Sequence, residues 1–297
     1  MGKNWSGLSQ PKICLMKKTE NQICQRLPFS RAAQSGLIAL LLAVLLLNLD
    51  GRLAVIPLGA FLVLCLAAPF FPGFGFYLPI ISRGSSGKKA VAITFDDGPD
   101  PLTAPLLLKL LSTKQVQATF FITGEKAAAH PELVKEIVRQ GHFVGNHSYH
   151  HSYRMFFKSC PSIVEDIEAT QQVLRDLGIR PLAFRPPGGI TSPRLGPSLS
   201  KTGMYLVNFS CRPLDGGNRR IKNLAAKILK RVGPDDIILL HDSMPPNRER
   251  IPRWLNEIES LLIGLAAEGF TILPLSELIG RPVMLAEIDG GRNPDVS

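Results

Sequence analysis

Asp96 and Asp97 stand side by side directly after the apolar run AVAITF. A strand ending in Asp-Gly is commonly only a solvated turn. Here, however, further apolar runs also end in polar clusters: GNHSYHH at 145–151, FRPPGG at 184–189, RPLD at 212–215 and LLHDS at 239–243. His147 and His151 are four positions apart, so one helical turn puts both imidazoles on one face. Two histidines and one aspartate with an open fourth position make a catalytic zinc site. Coordination there brings the pKa of a bound water to roughly 7. A second carboxylate can take that water's proton, and His241, from the opposite side, can protonate a leaving amine; such steps are worth about 10²–10⁴ in rate. The set is equipped to hydrolyse an amide or an ester. Neighbouring residues on a strand face opposite ways, so the Gly98-Pro99 turn has to bend the backbone for both carboxylates to reach one site.

These residues need a scaffold that brings strand ends together. Strand-like runs occur at 90–95, 116–122, 142–146, 182–185, 204–210, 236–241 and 270–275. Helix-like stretches around 102–113, 131–140, 162–178, 193–202, 220–231 and 252–268 lie between them. That alternation predicts a parallel β/α architecture. Seven strands are one short of a regular eight-stranded barrel, so the expectation is a distorted or incomplete (β/α) barrel, with an open doubly wound sheet as the second choice. In both, sites form where strands end and loops begin.

The chain of 297 residues is 45% hydrophobic, and the apolar excess is concentrated. No charge occurs in 32–49 or 53–82, and only Asp50, Gly51 and Arg52 separate the two runs. A bilayer core takes about 20 apolar residues per helix, so 32–49 and 53–72 are expected to form a transmembrane hairpin. The expected organisation is a basic tail (1–31), a membrane-anchor region (32–82), a short flexible linker (83–89), a catalytic domain (89–283) and a flexible tail (284–297). The first 31 residues hold six Lys/Arg against Glu20, which suits contact with membrane lipids and a cytoplasmic N-terminus. Two full spans would return the catalytic domain to the cytoplasm; activity on cell-envelope sugars favours the extracytoplasmic side. The net charge is +10, and a second basic cluster at 212–231 holds seven Lys/Arg against one acid. It is either a solvated face or a rim that attracts an anionic substrate. No nucleic-acid-binding motif accompanies it. The five cysteines, at 14, 24, 65, 160 and 211, show neither metal-type pairing nor a disulfide framework.

The motifs TFDDGP, HSYHH, RPPGG and LLH, in this order, resemble the polysaccharide deacetylases of the nodulation chitooligosaccharide deacetylase type, over about 89–278. The resemblance implies a distorted β/α barrel and a divalent metal, commonly zinc, that helps remove N- or O-acetyl groups from sugars. It implies Asp96 as general base and Asp97, His147 and His151 as metal ligands. Arg185 would hold the base, Asp215 would orient the arginine and the acid, and His241 would be that acid. The Gly188 amide would help stabilise the oxyanion. Two departures stand out. The family commonly has an aromatic where Gly188 stands, and Asp-x-x-Asp-Trp where this chain reads Arg212-Pro213-Leu214-Asp215-Gly216. Losing an aromatic wall and gaining Arg212 points to an acidic or lipid-linked acetylated sugar as substrate.

Other polar residues take plainer readings. His130 and His142 are expected at the surface or in loops, and His150 on a different face from His151. Ser148 caps the turn that follows it, and Asp100 before Pro101 reads as an N-cap. Asp242 either pairs with His241 or begins a loop, and Trp254 lies on an apolar helix face. Two other functions compete: a catalytically silent glycan-binding protein, and an amidase or deformylase acting on a non-sugar C–N bond.

Overall fold

The computed structural model describes residues 30–286; the basic tail expected over 1–31 and the residues after 286 lie almost wholly outside them. Helices α1 (Arg31–Leu47) and α2 (Val55–Ala67) come first, followed by a single 3₁₀ turn at Ala68–Phe70. The chain then alternates through β1 (Ala90–Gly98), α3 (Ala104–Thr113), β2 (Thr119–Ile122), α4 (Gly124–Ala129), α5 (Pro131–Arg139) and β3 (Phe143–Asn146). After α6 (Cys160–Arg175) come β4 (Ile179–Pro181), β5 (Ala183–Phe184), α7 (Leu195–Thr202), β6 (Tyr205–Leu206) and α8 (Leu224–Leu229). The final elements are β7 (Asp236–His241), α9 (Ile251–Ala267), β8 (Thr271–Ile272), α10 (Leu275–Ile279) and β9 (Met284–Ala286).

Seven strands form one parallel sheet in the order β6-β5-β3-β2-β1-β7, with β8 pairing the start of β1. The sheet curls without a continuous ladder between its ends. One parallel bridge, Cys211 to Ile238, spans from the segment after β6 to β7. The result is a parallel half-barrel, in line with the incomplete barrel expected. Period-two alternation along β1 decides what faces where. Val91, Ile93 and Phe95 point outward into the cluster that includes Leu107 of α3 and Trp254 of α9, while Ala90 and Ala92 face inward with Phe121, Val207 and Ile237. Thr94 and Asp96 continue the inward row, which carries Asp96 into the lumen at the carboxyl end.

Several expectations need correcting. The α1–α2 hairpin exists, but its helices have 17 and 13 residues, roughly 26 and 20 Å at about 1.5 Å per residue. Pro69 falls in the 3₁₀ turn that ends the second helix, so the run to 72 is not one helix. No helix among the described residues is long and apolar enough to cross a membrane. The segment expected as a flexible linker is tied down. Gly84 N–H donates to the Asp235 carbonyl, Ser85 N–H to the Leu278 carbonyl, and Arg83 pairs with Asp236 at 2.7 Å. The expected tail begins instead with β9, which pairs antiparallel with β4. Met284 of this strand also packs against the outer core of the sheet.

Candidate active site

Asp96 leaves β1 on the inward face and is only 4% exposed. Arg185, fully buried just after β5, meets it: one terminal nitrogen donates to Asp96 Oδ1 at 2.7 Å and to Thr94 Oγ1 at 2.8 Å. Its other N–H groups donate to the carbonyls of Val207 and Asn208, and the guanidinium lies 3.9 Å from the Phe121 ring centroid. A buried cation is costly unless paired and hydrogen-bonded; this one is paired with Asp96 and makes four hydrogen bonds from its three nitrogens.

Asp97 would face the other way on a regular strand. It takes φ +69° instead, and the pairing with β2 slips between Asp96 and Gly98. The bend that brings both carboxylates to one side is therefore at Asp97 itself rather than in the Gly98-Pro99 turn. Lys126 of α4 reaches the Asp97 carbonyl at 2.5 Å and holds it there.

His147 and His151 converge on Asp97 without the helical turn expected. Residues 147–152 are irregular, with Ser148 and His151 both at positive φ. The Ser148 hydroxyl accepts the His151 N–H at 3.2 Å, the capping contact expected of it. The ring centroids of His147 and His151 end 4.9 Å apart, and their Nε2 atoms lie 3.4 and 3.0 Å from Asp97 Oδ1. His147 Nδ1 is 2.7 Å from the Arg185 carbonyl. A carbonyl only accepts, so Nδ1 carries the proton and a neutral ring turns its Nε2 lone pair toward Asp97. Burial opposes charge on Asp97, and only a positive charge among these groups, an imidazolium or a bound cation, holds its carboxyl well below the usual carboxylate range.

One ligand atom from each of Asp97, His147 and His151 lies within 4.8 Å of the others, and Asp97 Oδ1 is buried without a well-formed hydrogen bond. Lone pairs and a carboxylate facing one another repel unless a cation sits among them. Two imidazoles and one carboxylate are a donor set that suits a divalent cation with an open position.

Across the sheet, Asp96 is in register with His241 of β7. His241 Nδ1 is 3.1 Å from Asp215 Oδ2, which leaves Nε2 for the cleft. Burial alone would lower the imidazole pKa, but Asp215, with Asp97 and Asp96 adding to it, holds His241 above its ordinary value. Asn218 braces the pair: its N–H donates to Asp215 and its amide to the carbonyls of His241 and Ser243. Asp215 contacts the histidine and not Arg185, so of its two expected partners it has one. These groups line a cleft of about 410 Å³ together with Tyr153, Gly188 and Arg212.

The cleft retains an aromatic wall that was expected to be lost. Gly188 has φ +64°, and a Cβ there would stand 3.0 Å from the Tyr153 ring. That ring packs edge-on against His151, 5.3 Å between centroids. The missing side chain at 188 is what gives Tyr153 its place. The Gly188 N–H has no hydrogen-bond partner among the described residues.

Four residues escaped the sequence reading. Lys126 and Asn218 carry no motif, Thr94 opens TFDDGP without a role of its own being read from it, and Asn208 holds the carbonyls of Gly189 and Pro72. The only available signal was that Thr94 and Asn208 are polar residues inside apolar runs. His142 is also not a surface residue. It is 3% exposed, Nδ1 accepts the Ala118 N–H at 3.2 Å, and burial lowers its pKa to about 4. It borders a hollow of about 710 Å³ at the opposite end of the strands, away from the carboxylates. Asp242 does not pair with His241. It is buried, accepts from the Thr103 hydroxyl at 2.7 Å, and burial raises its pKa to about 7.

A parallel half-barrel with an aspartate–imidazole cluster and a flanking carboxylate and histidine at its strand ends defines a hydrolase of the β/α class. Residues 83–207 match the polysaccharide deacetylase family. The peptidoglycan-N-acetylglucosamine deacetylase of Bacillus cereus is 31% identical over 196 residues, covering 65% of this chain and 90% of that one. The chitooligosaccharide deacetylase of a Bradyrhizobium strain is 32% identical over 204 residues, covering 65% and 92%. Among solved structures, the family 4 carbohydrate esterase from Streptomyces lividans superposes with a TM-score of 0.57 at 32% identity, covering 65% of this chain and 96% of that one. The chain belongs to the polysaccharide deacetylase family, metal-dependent enzymes that hydrolyse the acetyl amide bonds of glycans.

Proposed function

We propose that this chain is a membrane-anchored deacetylase that uses zinc, bound by Asp97, His147 and His151, to remove N- or O-acetyl groups from a glycan. The observation that carries the reading is the convergence of both Nε2 atoms on Asp97 Oδ1, beside an arginine-held carboxylate and an aspartate-held histidine. A divalent cation held there would polarise the acetyl carbonyl and ease deprotonation of a nearby water. Asp96, oriented by Arg185, accepts the attacking water's proton at its free oxygen. The Gly188 N–H donates to the carbonyl oxygen as negative charge builds on it. His241 Nε2 gives its proton to the departing nitrogen or oxygen, and Asp215 supports the imidazolium that holds that proton. Water and amide thus become acetate and amine. The test is acetate release from acetylated oligosaccharides by the zinc-loaded protein. Asp96→Asn should abolish release while zinc still binds, and release that persists without any metal would sink the mechanism.

Membrane anchoring is supported by how α1 and α2 pack. The buried residues of α1 are Ala39 and Ala43, and a Cβ at Gly36 would stand 3.0 Å from the Phe61 ring. The large side chains, Leu41, Leu45, Ile56 and Val63 among them, point outward at about 60% exposure or more. Small residues between helices and large apolar ones outside is the packing of helices in lipid, the inverse of a water-soluble pair. Helices this short fit a hairpin seated in one leaflet. Such a hairpin leaves the tail and Ser82 on one face, and the basic tail favours the cytoplasmic one; the extracytoplasmic placement expected from substrate needs a full crossing. A reporter fused after Ser82 reads the side directly.

A further inference from the structure

The cleft carries positive charge that the catalytic groups do not use. Arg212 and Arg220 both line it, and neither pairs with a carboxylate among the described residues. The acids inside the cleft already have partners: Arg185 holds Asp96, the two imidazoles face Asp97, and His241 holds Asp215. The rim arginines are therefore not there to neutralise the catalytic carboxylates. Arg212 is partly buried and its guanidinium lies 5.3 Å from the Phe209 ring centroid, which keeps the planar fork in place.

We infer that the cleft takes an acetylated sugar that bears a phosphate, and that Arg212 and Arg220 hold this phosphate; the inference rests on the deacetylase reading of the same site. Guanidinium groups match phosphate oxygens in pairs. Two of them on one rim suit a group with more charge than a single carboxylate. The phosphate has two sources, a soluble sugar phosphate or the headgroup of a lipid that carries the sugar. The fold bears on the choice. Tyr153, at the cleft, begins a short 3₁₀ turn that ends in Phe156 and Phe157. Phe156 meets Phe70, which follows α2, at 6.2 Å between ring centroids. Phe70, Phe71 and Phe157 are all exposed, at 60, 60 and 78%. The mouth of the cleft and the apolar hairpin thus share one aromatic edge, so a bilayer touching that edge would present its headgroups to the arginines.

The test uses the full chain in detergent, stripped of metal, so that binding is read apart from catalysis. N-acetylglucosamine 1-phosphate should bind at least tenfold more tightly than N-acetylglucosamine by calorimetry at low salt. An Arg212→Gln, Arg220→Gln double variant should lose that gap. Equal affinity for both sugars, a gap that survives in the double variant, or N-acetylmuramic acid bound as tightly as the phosphate would overturn the inference. A second arm uses phosphatidylcholine vesicles with a polyprenyl-phosphate-linked N-acetylglucosamine. Tighter binding there than to the soluble phosphate assigns the lipid headgroup, and equal binding assigns the soluble sugar phosphate; both sustain the subsite. Acetate release is then measured on the zinc-loaded protein. No release from any sugar, with the binding gap intact, removes the deacetylase reading and leaves the phosphate subsite standing.

Discussion

The surroundings of Arg185 and the α1–α2 hairpin show two opposite ways of placing groups where water would not favour them. Around Arg185 a charge is buried completely, and its hydrogen bonds are answered by Asp96, Thr94 and two carbonyls. In the hairpin, long aliphatic side chains are turned outward, and the helix contact is made by alanine and glycine. The first arrangement fixes geometry at the cost of desolvation. The second gains nothing from water and becomes favourable only against apolar surroundings. The difference teaches that one chain keeps a fully buried charge and an outward apolar surface side by side, with the aromatic contact of Phe70 and Phe156 between them.

The largest effect should come from the polar side. Asp97→Ala removes a ligand and should lower zinc content to background, with acetate release falling by about 10⁴ or more, read by elemental analysis and rate together. Asp96→Asn should cost about 10³ in kcat with zinc content kept; metal loss in that variant would mean that Asp96 is a ligand and not the base.

The hairpin gives the sharpest contrast. Replacing Leu41, Leu45 and Val63 with Gln should cut vesicle flotation roughly tenfold or more, while kcat on a short soluble oligosaccharide stays within about twofold. A matching loss of kcat would mean that the hairpin supports the catalytic fold.

A smaller effect is expected at Asp215. With His241 as the proposed acid, activity should fall as pH rises through its raised pKa. Asp215→Asn removes the carboxylate that raises it, so the alkaline limb of the kcat profile should move to lower pH, with kcat down about tenfold. An alkaline limb that does not move would assign it to another group.

The smallest effect concerns stability. Burial raises the Asp242 pKa to about 7 in the folded chain, above its unfolded value of about 4. Its neutral form stabilises the fold fully below that unfolded value, and this contribution is lost as pH rises to about 7. Asp242→Asn should therefore unfold at higher urea than the parent at pH 8 and at nearly the same urea at pH 4. Equal differences at both pH values would refute the linkage.

Much of the catalytic end was legible in the sequence, because parallel β/α folds collect chemistry at strand ends. Asp96, His147, Arg185 and His241 follow apolar runs that are strands. What could not be read was how the backbone departs from regularity. The positive φ of Asp97 and His151 decides which way those side chains point, and neither is a glycine that would announce it. Tyr153 filling the space beside Gly188 is a contact between distant loops, so a missing aromatic at 188 was misread as a missing wall. In the hairpin, composition conveyed the apolar surface but not the helix ends, which Pro69 and the turn at 48–54 set.

The central claim is that one divalent cation is held jointly by Asp97, His147 and His151. Anomalous diffraction at the zinc edge, from crystals grown with one equivalent of zinc, tests it most directly. One peak per chain within coordination distance of Asp97 and both Nε2 atoms is the expected result; zinc bound elsewhere, or a cluster left without a peak, would contradict the account.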